Sequence, residues 1–208
     1  MHIDYYVSLQ SPWTYFGHSR ICRYAKEAGA TLTIWPVNFA DVFSETGGLP
    51  LPKRSPERRN YRMLELQRWR EHLGIPLNLE PKHYPAKERV ASLCVVGLRE
   101  QADKVEAQSP DSPALKFAGN VLEAVWKDEQ DVSDEAVLKR LLEKAGADPE
   151  KVLKAALNQE FDSIHEQYTR EAIERGVFGA PAYRVDGELF WGQDRLPFVA
   201  AKLGLQNL

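Results

Sequence analysis

The period of the apolar positions changes twice along this chain. Ile3-Asp4-Tyr5-Tyr6-Val7 is short and rich in β-branched and aromatic residues, the pattern of a strand. Ser11-Pro12 then opens a run in which Ile21, Tyr24, Ala25 and Ala28 recur at helical spacing until Gly29. Thr31-Leu32-Thr33-Ile34-Trp35-Pro36-Val37 alternates as a second strand. The three make a βαβ unit, which favours parallel pairing through a right-handed crossover. Asn38 to Thr46 predicts a short helix or turn closed by Gly47-Gly48.

Helical spacing then takes over. Prolines at 50, 52 and 56 mark a loop, and Ser55-Pro56-Glu57 starts a helix with Leu66, Trp69 and Leu73 on its apolar stripe. Gly74-Ile75-Pro76 ends it, and residues 77 to 86 read as extended. From Lys87 to Arg175 nearly everything predicts helix: Val90 to Gln108 as one element, Leu115 to Trp126 as another, and a third starting at Asp131 to Ser133. Asp148-Pro149 caps a fourth, and Phe161, Ile164, His165, Tyr168 and Ala172 mark the face of a fifth, which ends at Gly176. His165 on that stripe fits a core or interface place better than a catalytic one.

Alternation returns at the end, with Pro181 to Val185 and Glu188 to Trp191 as strands around an Asp186-Gly187 turn. Asp194 is expected to cap a last helix carrying Leu196, Val199, Ala200 and Leu203. Neither terminal pair of strands would be stable alone, so the two share a sheet. The expected organisation is one α/β domain built from residues 1–46 and 161–208, divided by a helical insertion at 47–160.

Composition narrows the function classes. Of 208 residues, 43% are hydrophobic and 27% charged, ordinary values for a globular chain. A net charge of −3 gives no electrostatic case for nucleic acid. No apolar run has the length of a membrane span, and the first residues lack the order of a signal peptide, so a cytoplasmic place is expected. The two cysteines, Cys22 and Cys94, form no C-x-x-C and no metal-ligand cluster, and both are expected to pack. Lys53, Arg54, Arg58, Arg59 and Arg62 face only Glu57. Such a run is either a solvated face or a receptor for carboxylates, which suit the guanidinium fork. Tyr84 is a better ligand contact than His83, because a phenol both stacks and hydrogen-bonds.

Ser11 stands where a strand gives way to a helix. Its hydroxyl faces the positive end of a helix dipole and unpaired backbone N–H groups, a place that favours an anion. Most isolated Ser-Pro pairs are only caps. The wider pattern argues for more. Ser11-Pro12-Trp13-Thr14-Tyr15, Leu66-Gln67-Arg68-Trp69, Gly74-Ile75-Pro76, Val177-Phe178-Gly179-Ala180-Pro181 and Phe190-Trp191-Gly192-Gln193-Asp194-Arg195 occur in that order over most of the chain. Together they resemble the 2-hydroxychromene-2-carboxylate isomerases and their relatives, the kappa-class glutathione transferases.

That resemblance implies a thioredoxin-like fold with a large all-helical insertion, of the DsbA-like kind, and glutathione as cofactor. Pro181 would be cis, with the main chain of Ala180 pairing with the glutathione backbone as an added strand does. Trp191, Gly192, Gln193 and Asp194 would hold the γ-glutamyl end. Ser11 would donate a hydrogen bond that stabilises the glutathione thiolate, the attacking group. A small aromatic carboxylate substrate would meet the loop from Gly47 to Arg54, through Gly48, Lys53 and Arg54, with Tyr84 near its ring. The resemblance also implies a homodimer.

One departure concerns that loop. Family members acting on the naphthalene-pathway substrate align a lysine near Phe43 and an asparagine near Gly48. Three classes of function therefore stand side by side: a glutathione-dependent isomerase, a kappa-like transferase for other electrophiles, and a non-catalytic DsbA-like binder of peptides. A thiol–disulfide oxidoreductase does not fit, because Ser11 to Thr14 contains no cysteine.

Overall fold

In the computed structural model, which describes residues 1–205, the two ends of the chain build one four-stranded sheet. β1 (His2–Val7) pairs in parallel with β2 (Thr31–Pro36), and on its other side antiparallel with β3 (Ala182–Val185). β4 (Glu188–Trp191) closes that side, so the order is β2-β1-β3-β4. Residues 206–208, the end of the expected second segment, lie outside the described residues.

Strand alternation divides the core. Ile3, Tyr5 and Val7 point into the main cluster, which also holds Leu32, Ile34 and Tyr183 from neighbouring strands. α1 (Pro12–Glu27) packs on this side. Tyr6 points the other way, into a smaller cluster with Val37, Val42, Ala172 and Val177. Two helices cover that face, α2 (Phe39–Thr46) and later α9 (Gln159–Glu174). The central strand is thus buried on both faces.

Between β2 and β3 the chain runs through α3 (Pro56–Leu73), α4 (Arg89–Glu100), α5 (Lys104–Ala107), α6 (Pro113–Trp126), α7 (Glu135–Lys144) and α8 (Pro149–Ala156), ahead of α9. Their starts follow the cap chemistry. Ser11, Ser55, Ser112 and Asp148 each accept a backbone N–H three residues on, and each is followed by proline at the first helical position. α4 and α6 form the packed centre, with Leu93, Cys94, Val95, Phe117, Ala118 and Trp126 buried. α3 differs: only Leu66 of its eighteen residues is buried.

Three boundaries depart from expectation. Val90 to Gln108 is two helices, because the Asp103 carboxylate accepts from the N–H groups of Val105 and Glu106, both at 2.9 Å, and restarts the chain there. Asp131 does not begin a helix: it folds onto Ser133, and Asp134 is the cap of α7. Asp194 caps none of the described helices. It lies in a 3-10 turn, Gln193–Arg195, that runs into α10 (Leu196–Lys202), and its carboxylate accepts from Arg195 at 2.7 Å. No described helix is long and apolar enough to cross a membrane.

Candidate active site

The site forms where β1 hands over to α1. Ser11 has extended backbone (φ −78°, ψ 125°), and its Oγ accepts from the Thr14 N–H at 3.3 Å. That bond uses a lone pair. The hydroxyl proton has no acceptor among the described residues and is available to a ligand.

Facing it is the loop that enters β3. The Ala180–Pro181 peptide is cis, and so is Tyr84–Pro85. Pro181 O accepts from Gly192 N at 2.9 Å, which ties the loop to the end of β4. Gly192 makes that turn with φ 102°, a conformation suited to glycine. At Gly179 a side chain would collide with the indole of Trp191, Cε2 being 2.9 Å from the place of a Cβ. Glycine there lets Trp191 lie over the loop, with its ring 4.8 Å from that of Phe178. Ala180 itself has no backbone partner among the described residues, so its N–H and C=O form an open edge.

Two adjoining cavities meet here. The larger, about 630 Å³, runs from Trp13 and Ala180 along Trp191 to Arg195, with α3 as the opposite wall. Arg58, Tyr61, Arg62, Glu65 and Trp69 supply that wall at nearly helical spacing, with Arg54 just ahead of the helix, which accounts for the thin burial of α3. The smaller, about 330 Å³, holds Ser11, Asn38, Phe39, Phe43, Tyr84 and Glu88. Trp13, Arg54, Arg62 and Ala180 line both.

The anticipated residues divide accordingly. Ser11 and Tyr84 fall in the smaller cavity, Trp191, Gly192, Gln193 and Asp194 in the larger, and Ala180 and Arg54 in both. Pro181 is buried behind the edge it shapes. Gln193 is 2% exposed, and its side-chain oxygen accepts from Arg20 at 2.7 Å, so it anchors the turn to α1. Lys53 is exposed and lines neither cavity, and neither does Gly48. A side chain at Gly48 would run into the Phe43 ring, so this glycine sets where that ring lies.

The cations are chemically unsettled. Arg54 donates to Leu49 O at 2.8 Å, and Arg62 to the Tyr84 hydroxyl at 3.5 Å; neither has a carboxylate partner among the described residues. Burial pushes both guanidinium pKa values down, with Arg58 adding to the effect on Arg54 and Arg54 to that on Arg62. Burial also raises that of the Tyr84 phenol. Two partly buried guanidinium groups beside an aromatic cavity suit a planar carboxylate.

Sequence reasoning passes over Glu88. It is the one carboxylate lining the smaller cavity, and it accepts from Ser8 Oγ (2.8 and 3.1 Å), Gln10 N (2.9 Å) and Gln10 Nε2 (2.8 Å). Within Lys87-Glu88-Arg89 it resembles solvated helix charge, and no local signal separates it. Arg62, which the sequence shows only as part of a charge run, is likewise central.

The family model of the DSBA-like thioredoxin domain matches residues 2–204. The chain belongs to this family. The 2-hydroxychromene-2-carboxylate isomerase of Pseudomonas putida is 27% identical to it, over 98% of this chain and 95% of that protein. Glutathione S-transferase kappa 1 of Rattus norvegicus is 24% identical, over 97% of this chain and 90% of its own length. A solved structure of 2-hydroxychromene-2-carboxylate isomerase superposes with a TM-score of 0.81 at 27% identity, covering 98% and 95% of the two chains. The DsbA-like thioredoxin fold with its helical insertion, expected from the sequence, is therefore the fold of this chain.

Proposed function

We propose that this protein is a glutathione-dependent cis–trans isomerase of a 2-hydroxychromene-2-carboxylate-type aromatic acid, forming the trans-benzylidenepyruvate. The observation that carries the proposal is the Ser11 hydroxyl. It sits at a helix start, with an unassigned proton, on the cavity that adjoins the open backbone edge of Ala180. The residues present fit glutathione. Its peptide backbone would pair with Ala180, the helix-entry turn at Gly192 to Asp194 would receive its γ-glutamyl end, and Trp13 and Trp191 would flank it.

When bound, glutathione supplies a sulfur nucleophile whose reversible addition turns a double bond of the acceptor into a rotatable single bond. Ser11 donates to that sulfur and, with the α1 dipole, favours its ionised form. Arg54 and Arg62 hold the acceptor carboxylate, and Tyr84 and Phe43 enclose its ring. The cysteines take no part. Burial raises the thiol pKa of both Cys22 and Cys94 to about 12, so both stay protonated at neutral pH.

A second reading, conjugation of other electrophiles in the manner of a kappa transferase, is favoured by Phe43, which gives the smaller cavity an apolar wall. Calorimetric titration of glutathione at two pH values, with wild type and Ser11→Ala, tests what the two readings share. Wild type should bind and release a proton; Ser11→Ala should bind without that release. Absorbance assays with a chromene carboxylate and with an aryl halide then separate isomerase from transferase. Absence of glutathione binding would leave only the peptide-binding alternative.

A further inference from the structure

We propose that Glu88 is a positioning residue that clamps the Ser8–Gln10 loop and so fixes where the Ser11 hydroxyl points. The clamp joins distant parts of the chain. Glu88 opens α4 in the helical region, whereas Ser8 and Gln10 belong to the sheet-to-helix connection that ends at Ser11. Both carboxylate oxygens are engaged, one by Ser8 Oγ and Gln10 Nε2, the other by Ser8 Oγ and Gln10 N. Gln10 N is the amide immediately before Ser11, and Ser11 N in turn donates to Ser8 O at 3.2 Å. The turn leading to the hydroxyl is thus held from outside by Glu88 and from inside by its own backbone.

An ionised carboxylate suits this place because the Gln10 N–H can only donate, and the Ser8 hydroxyl and Gln10 side-chain amide are both turned towards it as donors. Protonation or amide replacement would put an X–H against the Ser8 hydroxyl or the Gln10 side-chain amide and require one of them to turn over and accept, breaking at least one of the present bonds. Burial raises the Glu88 pKa, and the bonds from Ser8 and Gln10 oppose that shift. The other charged groups lining the cavity, Arg54 and Arg62, make no ion pair with Glu88.

The assignment of the thiolate step to Ser11 rests on the proposed glutathione reading; the clamp itself does not. Two measurements on the full chain keep them apart. In Glu88→Gln, amide hydrogen exchange at Gln10 and Ser11 should quicken at least tenfold while the centre of α6 keeps its protection. Unchanged exchange at those two amides overturns the clamp whether or not glutathione binds. The second readout is thiolate absorbance near 240 nm as bound glutathione is titrated with base. Removing a negative charge from the cavity would by itself favour the thiolate and lower its pKa; loss of Ser11 placement raises it. The expected result is an upward shift of about one unit, a tenfold loss of thiolate at a given pH. A downward shift or none overturns the positioning role. Ser8→Ala, which removes one donor and leaves the buried carboxylate in place, should move both readouts the same way by a smaller amount. If Glu88→Gln fails to fold, that variant decides.

Discussion

Ser11 and His18 lie about two turns apart on the same helix and show opposite uses of a polar side chain. His18 is enclosed. Its Nε2 donates to Leu115 O at 3.0 Å, Nδ1 lies 3.4 Å from the Tyr5 hydroxyl, and burial lowers its pKa to about 4. Burial favours the neutral ring, and both of its nitrogens find partners inside the protein. Ser11 is half-buried on a cavity, uses only an acceptor lone pair, and has no acceptor for its proton among the described residues. The difference separates support from chemistry better than residue type does. By type alone, a histidine and a cysteine on α1 would outrank a serine.

The largest effect should come from breaking the enclosed site. His18→Ala removes the ring's bond to Leu115 O, leaves the Tyr5 hydroxyl without its partner and opens a cavity between α1 and α6, a loss of about 3 to 5 kcal/mol in denaturant unfolding. The folded fraction should still bind glutathione with an unshifted thiol pKa. A shifted one would mean that the two ends of α1 are coupled. Ser11→Ala should do the reverse. Loss of a hydrogen bond to a charged group is worth about 1.5 to 3 kcal/mol, a fall in kcat/KM of roughly tenfold to a hundredfold. Its thermal midpoint should fall by only a few degrees, the effect of losing a helix cap.

Acid should find the enclosed site next. The unfolded chain protonates His18 near pH 6.5, while the folded chain resists until about 4. Between those values the unfolded state binds more protons, so stability is full above 6.5 and is lost as pH falls towards 4. At pH 5 the loss from this group is about 2 kcal/mol. Glu88 acts with the opposite sign: its raised pKa makes the folded state take up a proton first, adding stability on acidification. The difference between wild type and His18→Gln across pH 4 to 7 isolates the histidine, and a flat difference would show that His18 titrates in the fold just as it does in the unfolded chain.

One side of this contrast is legible in the sequence. Ser11 stands out because a cap serine, a following proline and a strand just upstream are local signals, and the same chemistry marks Ser55, Ser112 and Asp148. The Ala180–Pro181 edge is accessible only through resemblance to a family pattern. Glu88 and Arg62 carry no such mark, because their meaning lies in partners far along the chain, Gln10 for one and Tyr84 for the other. Asp194 misleads for a related reason. An aspartate before an apolar stripe predicts a cap, but Gly192, tied to Pro181, turns the backbone into a 3-10 entry that leaves Asp194 facing Arg195. Lys53 and Arg54 are adjacent in sequence, yet only Arg54 lines the cavities.

The mildest test concerns Cys22, one turn beyond His18 and 4.0 Å from its Nε2. A thiol on the first helix of a thioredoxin-like fold invites a redox role. Its place argues otherwise: the helix-start dipole that lowers a thiol pKa acts over the first turn, and Cys22 lies well beyond it, where burial raises the pKa to about 12. Iodoacetamide at pH 8 should therefore label Cys22 many times more slowly than it labels free glutathione, and Cys22→Ala should leave the bound thiol pKa and turnover unchanged. Rapid labelling of the folded chain would mean that the packing around His18 and Cys22 opens to solvent. The line between the enclosed and the open end of the helix would then have to be drawn closer to Ser11.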